Sequence, residues 1–108
     1  LPLLLTACRE GWLGLEDVVR VTGEGPRRAY GIANKGRIEV GADGDLVLVD
    51  PEVREPLALE WLRSRAGYSP YVGIQLAGYP TTTILRGRVA YRNHRTVGAE
   101  DGAPLRFV

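Results

Sequence analysis

At 108 residues and a formal charge of +1, the chain is sized for one small domain and has no electrostatic case for nucleic acid or an anionic membrane as partner. Its 44% hydrophobic and 25% charged residues place it among ordinary soluble globular proteins. A single cysteine, Cys8, excludes an internal disulfide and leads us to expect a reducing, cytoplasmic setting.

Leu1 to Ala7 is apolar, but it carries Pro2, lacks a basic flank and falls far short of the roughly 20 residues that span a bilayer. The chain begins at Leu1 and contains no methionine, so a piece of a longer polypeptide is expected. Pro2 suits a first helical turn, and a helix is predicted from there through Glu10, ending at Gly11. A second helix is predicted from Leu15. Glu16 and Asp17 favour its N-terminal dipole, and Leu15, Val18, Val19 and Thr22 form its apolar stripe. Gly23 is expected to end it, Pro26 to open a third short helix through Tyr30, and Gly31 to close that one.

After Asn34 the pattern changes to strands and turns. Ile38 and Val40 alternate with Arg37 and Glu39, which predicts a short half-buried strand. Gly41, Asp43, Gly44 and Asp45 form a turn, followed by Leu46-Val47-Leu48-Val49. Four consecutive apolar residues predict a strand covered on both faces and paired on both sides, where Leu48→Asp is strongly destabilising. Pro51 and Pro56 should bracket a loop, Trp61 to Ser64 a turn, and residues 67–80 an ordered surface loop with strand fragments. Thr81 to Leu85 and Val89 to Arg92 then read as a hairpin around Arg86-Gly87-Arg88. The tail from Val97 carries turn residues and a final apolar pair, Phe107-Val108.

Tests for chemistry find no self-sufficient site. A hydrolytic metal centre needs several converging imidazole or carboxylate ligands. The one histidine, His94, sits beside Arg92 and Arg95 and reads as a solvated hairpin residue. Asp43, Asp45 and Asp50 lack the further oxygen ligands of a calcium loop, and a turn with a carboxylate capping backbone N–H groups is the better reading. Gly67-Tyr68-Ser69-Pro70-Tyr71 lacks the second glycine of a nucleophile elbow. Gly23-Glu24-Gly25-Pro26 follows no strand, as a phosphate loop must. Cys8 falls on an apolar helix face, where an inert thiol is the default. Arg86, Arg88, Arg92, His94 and Arg95 form a basic cluster whose only interleaved aromatic is Tyr91, which suits a solvated hairpin tip better than a polyanion site. The site residues expected within the chain are therefore none, whether catalytic, cofactor-binding or metal.

The segment Lys35-Gly-Arg-Ile-Glu-Val-Gly-Ala-Asp-Gly-Asp-Leu-Val-Leu-Val-Asp50 resembles the C-terminal signature of the amidohydrolase superfamily. Leu1 to Thr6 is similar to the helix after the last barrel strand in cyclic amidohydrolases. Leu15 to Gly31 resembles their next helix and an Asn-Pro-Ala-x-x-Phe-Gly element, with Gly25 in place of the asparagine and Arg27 in place of the alanine. Trp61 to Gly73 is similar to a Ser-Pro-[Phe/Tyr]-x-Gly segment of dihydroorotases and allantoinases, and Gly78 to Tyr91 to their Thr-Ile-x-x-Gly-x-Val-x-Tyr hairpin.

The resemblance implies an α+β fragment. Residues 1–34 would be terminal helices of a (β/α)8 barrel, and residues 35–108 the C-terminal part of a composite β-sandwich domain. The implied parent is a zinc-dependent cyclic amidohydrolase, with dihydroorotase as the first reading, interconverting carbamoyl-aspartate and dihydroorotate in pyrimidine synthesis. Allantoinase, a hydantoinase-type amidase and a catalytically inactive dihydroorotase-like scaffold are the alternatives; a free-standing β-rich binding module is a further reading. In such enzymes the zinc ligands lie upstream of the matching segments, so none transfers to this chain. Lys35 is not the metal-bridging carboxylated lysine and reads as solvated. The implied partners are the missing N-terminal barrel region of the same polypeptide, a second copy of the chain, or aspartate transcarbamoylase. Leu3, Leu4, Leu5, Trp12, Leu13, Val18 and Val19 exceed what a small β unit can cover, so an exposed apolar patch is expected.

Overall fold

A computed structural model describes residues 1–98 and 102–108. Helix α1 spans Pro2–Arg9, with Pro2 in its first turn. Helix α2 spans Leu15–Val19, and the Gly14 N–H at its start donates to Asp17 Oδ2 at 3.0 Å. A π-helical turn, Arg20–Glu24, leads directly into α3, Gly25–Tyr30, which Gly31 closes in the left-handed region. The sheet is formed by β1 (Leu46–Pro56), β2 (Gln75–Leu85), β3 (Arg88–Arg92) and β4 (Arg95–Thr96), antiparallel in the order β1-β2-β3-β4. A 3-10 turn, Leu59–Trp61, lies between β1 and β2.

The predicted break at Gly23 does not occur; the helical path runs through it. Its glycine serves close approach instead. A Cβ on Gly23 would lie 3.0 Å from the Gly36 carbonyl oxygen, and one on Gly36 only 2.7 Å from that of Gly23. Glu24 anchors the same junction by accepting from Arg27 Nε at 2.9 Å and Arg28 Nε at 2.6 Å. These two guanidinium groups pull its carboxyl down to about 2.

The buried hydrophobic residues are Leu5, Val18, Leu76 and Tyr79, so the core lies where α1 meets β2. Thr6 supplies the polar tie across that seam: its Oγ1 accepts the Ala77 N–H at 2.9 Å and lies 3.2 Å from the Ala77 carbonyl. Gly78 makes the approach possible. Its φ is +89°, and an added Cβ would sit 2.7 Å from Leu5 Cβ. Opposite Gly78 the β1 register shifts between Asp50 and Arg54, so Pro51, Glu52 and Val53 form a bulge. Proline is tolerated there because a bulge releases its residue from the ladder.

Several sequence expectations need correction. Pro51 and Pro56 do not bracket a loop; both belong to β1. Strand β2 starts at Gln75, inside the segment predicted as a surface loop with strand fragments, and runs unbroken into the hairpin because Leu76 and Tyr79 find α1 to pack against. Ile38 and Val40 form no strand and stand 89% and 104% exposed, on a loop closed by the Asp43 N–H donating to the Asn34 carbonyl at 2.7 Å. Strand β1 pairs with β2 alone among the described strands, so Leu46 to Val49 lie on an edge rather than inside the sheet. Leu46, Val47 and Leu48 are 37%, 47% and 52% exposed.

The hairpin expectation is met, with a tighter turn. Arg86 and Gly87 alone connect Leu85 to Arg88, and both have positive φ, the pairing a type I′ turn requires. Asn93 and His94 repeat that geometry between β3 and β4, a second hairpin absent from the sequence expectation. The tail returns to the helices: Ile32 bridges Phe107, and the Ala33 N–H donates to the Arg106 carbonyl at 2.8 Å. The part of the predicted tail at residues 99–101 lies outside the described residues. Of the apolar helical residues expected to be exposed, Leu3, Trp12 and Val19 are, whereas Leu5 and Val18 are buried.

Candidate functional site

Two polar clusters gather most of the residues that carry chemistry. The first closes the Asn34–Asp45 loop onto the β2–β3 turn. Lys35 Nζ pairs with Asp43 Oδ2 at 2.8 Å and also with Asp45 Oδ2. Asp45 Oδ1 accepts the Arg86 N–H at 2.8 Å, and the Gly87 N–H donates to the Gly44 carbonyl at 2.9 Å. Hydrogen bonds to Asp43 and Asp45 hold the Lys35 ammonium above the usual lysine range. Burial pushes the Asp45 carboxyl up, but Lys35 and the Arg86 N–H outweigh it and leave it lowered. Lys35 is thus paired rather than solvated. A lysine neutralised by two carboxylates is a structural tie, unsuited to act as base or nucleophile. A pocket of about 100 Å³ beside it is lined by Lys35, Asp43, Arg86 and Arg106.

The second cluster surrounds His94. Its ring stacks on Trp61 with centroids 3.7 Å apart and planes at 9°, and meets Tyr79 edge-on at 5.9 Å. Nε2 lies 3.9 Å from Glu55 Oε2, and Nδ1 lies 3.4 Å from the Tyr91 hydroxyl. Tyr79 donates its hydroxyl to the Glu55 carbonyl at 2.9 Å. Burial, then Glu55, push the Tyr79 phenol up. His94 is therefore half-buried in an aromatic cluster, a correction to the solvated reading. No local signal in the sequence marks this, because Trp61 and His94 meet only through the fold.

The remaining candidates stay apart and do structural work. Asp50 Oδ1 accepts the Glu52 N–H at 2.9 Å within the β1 bulge, away from the Lys35 pair. Ser69 Oγ accepts the Tyr71 N–H at 3.2 Å, as a turn serine does. Cys8 is a free, half-buried thiol on α1. Gly25 opens α3, with the π-helical turn before it rather than a strand. Among the basic cluster, Arg86 lies in the first hairpin turn and Arg88 just after it, and Arg92 and Arg95 flank the second. Among the described residues no three His, Cys, Asp or Glu side chains are grouped so as to hold a metal ion. The described residues therefore do not fit a zinc centre.

Residues 3–90 match the sequence profile of the Amidohydrolase family. The chain belongs to that family. Within it, the similarity runs to dihydroorotase-like cyclic amidohydrolases. A dihydroorotase of Methanosarcina mazei is 36% identical over 104 residues, 94% of this chain and 22% of that protein. An allantoinase of Rubrobacter xylanophilus is 40% identical over 112 residues, 100% of this chain and 23% of its own length. Among solved structures, an L-hydantoinase (dihydropyrimidinase) from Arthrobacter aurescens superposes with a TM-score of 0.84 at 33% identity, covering 91% of this chain and 22% of that one. The chain thus spans less than a quarter of these relatives. No described helix is long and apolar enough to cross a membrane.

Proposed function

We propose that this chain is a C-terminal structural part of a zinc-dependent cyclic amidohydrolase, with dihydroorotase activity as the leading assignment. The carrying observation is the 36% identity over 104 residues to a dihydroorotase, a share of the chain that leaves little of it unmatched. On this reading residues 1–34 finish a barrel and residues 35–108 contribute to a β-sandwich. The zinc ligands and the chemistry belong to the rest of the polypeptide, in a cytoplasmic setting. The open β1 edge, with Leu46 to Leu48 exposed, supports the sandwich assignment, because that apolar strand suits a covered position.

The test is expression of the complete polypeptide with zinc, assayed on dihydroorotate, allantoin and hydantoin. Interconversion of carbamoyl-aspartate and dihydroorotate is the expected result. Turnover of allantoin or hydantoin instead moves the assignment to those relatives. An inactive polypeptide that raises aspartate transcarbamoylase activity points to a scaffold. The 108-residue chain alone should retain no stoichiometric zinc and turn over none of these substrates; tight zinc binding with activity overturns the structural-part reading.

A further inference from the structure

The loop that starts at Asn34 reaches the β2–β3 turn through Asp43-Gly44, a pair with a reactivity of its own. In an Asp–Gly sequence the glycine amide nitrogen can attack the aspartate Cγ, because glycine has no side chain to shield that nitrogen and lets the backbone turn freely. The N–Cγ bond forms and a Cγ–Oδ bond breaks. That oxygen leaves as water, with the amide proton and one proton from the carboxyl or solvent. The product is a five-membered succinimide. Water then adds to its carbonyl on the Cα side and breaks the bond from that carbon to nitrogen. The chain now runs through Cγ as isoaspartate, with unchanged composition and no redox step.

Both halves of the reacting pair are held in this fold. Asp43 Oδ2 pairs with Lys35 Nζ at 2.8 Å, and the same ammonium pairs with Asp45, so the electrophilic carboxyl is fixed on the lysine. The Asp43 N–H donates to the Asn34 carbonyl at 2.7 Å, and the Asp45 N–H to the Asp43 carbonyl at 2.8 Å. Gly44, which brings the nucleophile, is seated on the β2–β3 turn. Its carbonyl accepts the Gly87 N–H at 2.9 Å, and an added Cβ would lie 3.2 Å from the Gly87 nitrogen. Ring closure requires the carboxyl to leave Lys35 and the intervening peptide to swing, so these bonds must open first. Solvent is at hand for the second step, since Asp43 and Gly44 are both exposed.

We propose that Asp43–Gly44 is a latent isoaspartate site, kept closed by Lys35 on the carboxyl and by the Gly87 N–H on the glycine, and that its isomerisation releases the loop from the β2–β3 turn. The modified backbone is longer by one methylene between Asp43 and Gly44. Asp45 then shifts relative to Lys35 and to the Arg86 N–H that it accepts, and Gly44 relative to Gly87. Isomerisation and loss of the tie are thus one event, and Ile38 and Val40 ride on the freed loop.

Ageing the complete polypeptide at neutral pH tests this, with isoaspartate at Asp43 quantified by peptide mapping, which separates it from Asp101–Gly102, the other Asp–Gly pair. A free peptide of residues 35–45 is aged beside it. Asp43 should isomerise about 10-fold more slowly in the polypeptide, the scale of a local opening equilibrium. Lys35→Gln should raise the rate about 2–5-fold, as expected for a partly exposed ion pair, and Lys35→Arg should restore most of the protection. Should Lys35→Gln not fold, added salt gives the second measurement: screening should raise the rate of the unaltered polypeptide relative to that of the peptide. Amide protection at Leu76 and Tyr79 should stay unchanged throughout. Equal rates in polypeptide and peptide overturn the proposal. So does a folded Lys35→Gln that isomerises no faster than the unaltered protein, or aged protein with isoaspartate at Asp43 whose Arg86 and Gly87 amides keep their full protection.

Discussion

Strands β1 and β2 lie side by side, and their sequences invert their burial. Leu46-Val47-Leu48-Val49 is the most continuously apolar stretch of the sheet, yet three of its residues stand 37–52% exposed. Gln75-Leu-Ala-Gly-Tyr-Pro-Thr-Thr-Thr is far more mixed, yet Leu76 and Tyr79 are each only 3% exposed. The difference lies in what each strand meets. β2 has β1 and β3 on its two edges and α1 on its face, whereas β1, among the described strands, pairs with β2 alone. Apolar character along a strand records the surroundings for which it is suited. Burial records which of those surroundings the chain itself supplies.

The sharpest way to break the comparison is to remove the glycine that lets α1 reach β2. Gly78→Ala places a methyl 2.7 Å from Leu5 Cβ at a residue whose φ is +89°. Left-handed strain of about 1–2 kcal/mol adds to an overpacking cost of about 1–3 kcal/mol. Loss of about 2–5 kcal/mol is expected, read as collapsed amide protection at Leu76 and Tyr79. An unchanged pattern would mean that α1 does not define the β2 core.

Much of the chain is legible locally, and the exceptions share a cause. Helix α1, the closure of α3 at Gly31 and the Gly87 hairpin follow from residues adjacent in sequence: Pro2, Gly31 and the β-branched Thr81 to Ile84. What was missed depends on distant partners. Gly23 reads as a helix stop until Gly36 is seen against it, and residues 67–80 read as a surface loop with strand fragments until α1 covers Leu76. Lys35 reads as solvated until the turn brings Asp43 and Asp45 together around it. The His94 cluster was not legible either, since it draws on five separate elements.

A milder test addresses the polar side of the α1–β2 seam. Thr6→Val preserves shape and removes the oxygen that accepts the Ala77 N–H at 2.9 Å. The Pro2 carbonyl, which accepts from the same hydroxyl at 2.8 Å, loses a bond it can do without inside a helix. The Ala77 N–H has no such substitute, and stranding a half-buried donor costs about 1–3 kcal/mol. A fall in α1 and β2 protection of that size, smaller than for Gly78→Ala, is expected. Loss confined to α1 would show that β2 is held by the sheet alone.

The smallest expected effect is the one that the sequence would rank among the largest. A continuous apolar strand predicts that Leu48→Asp buries an unpartnered carboxylate, at a cost of several kcal/mol. In this chain Leu48 is 52% exposed on an edge, so the aspartate stays hydrated and the change should fall within about 0.5 kcal/mol. Thermal or denaturant unfolding of the chain, with and without the substitution, measures this directly. The same substitution in the complete polypeptide supplies the contrast. If further strands cover β1 there, Leu48→Asp becomes strongly destabilising while Gly78→Ala keeps its cost in both settings. If Leu48→Asp is harmless in both, the β1 edge is an exposed edge of the protein. If it is costly in the isolated chain as well, β1 is buried by association of the chain with itself, which an apparent mass above that of one chain, falling on dilution, would reveal.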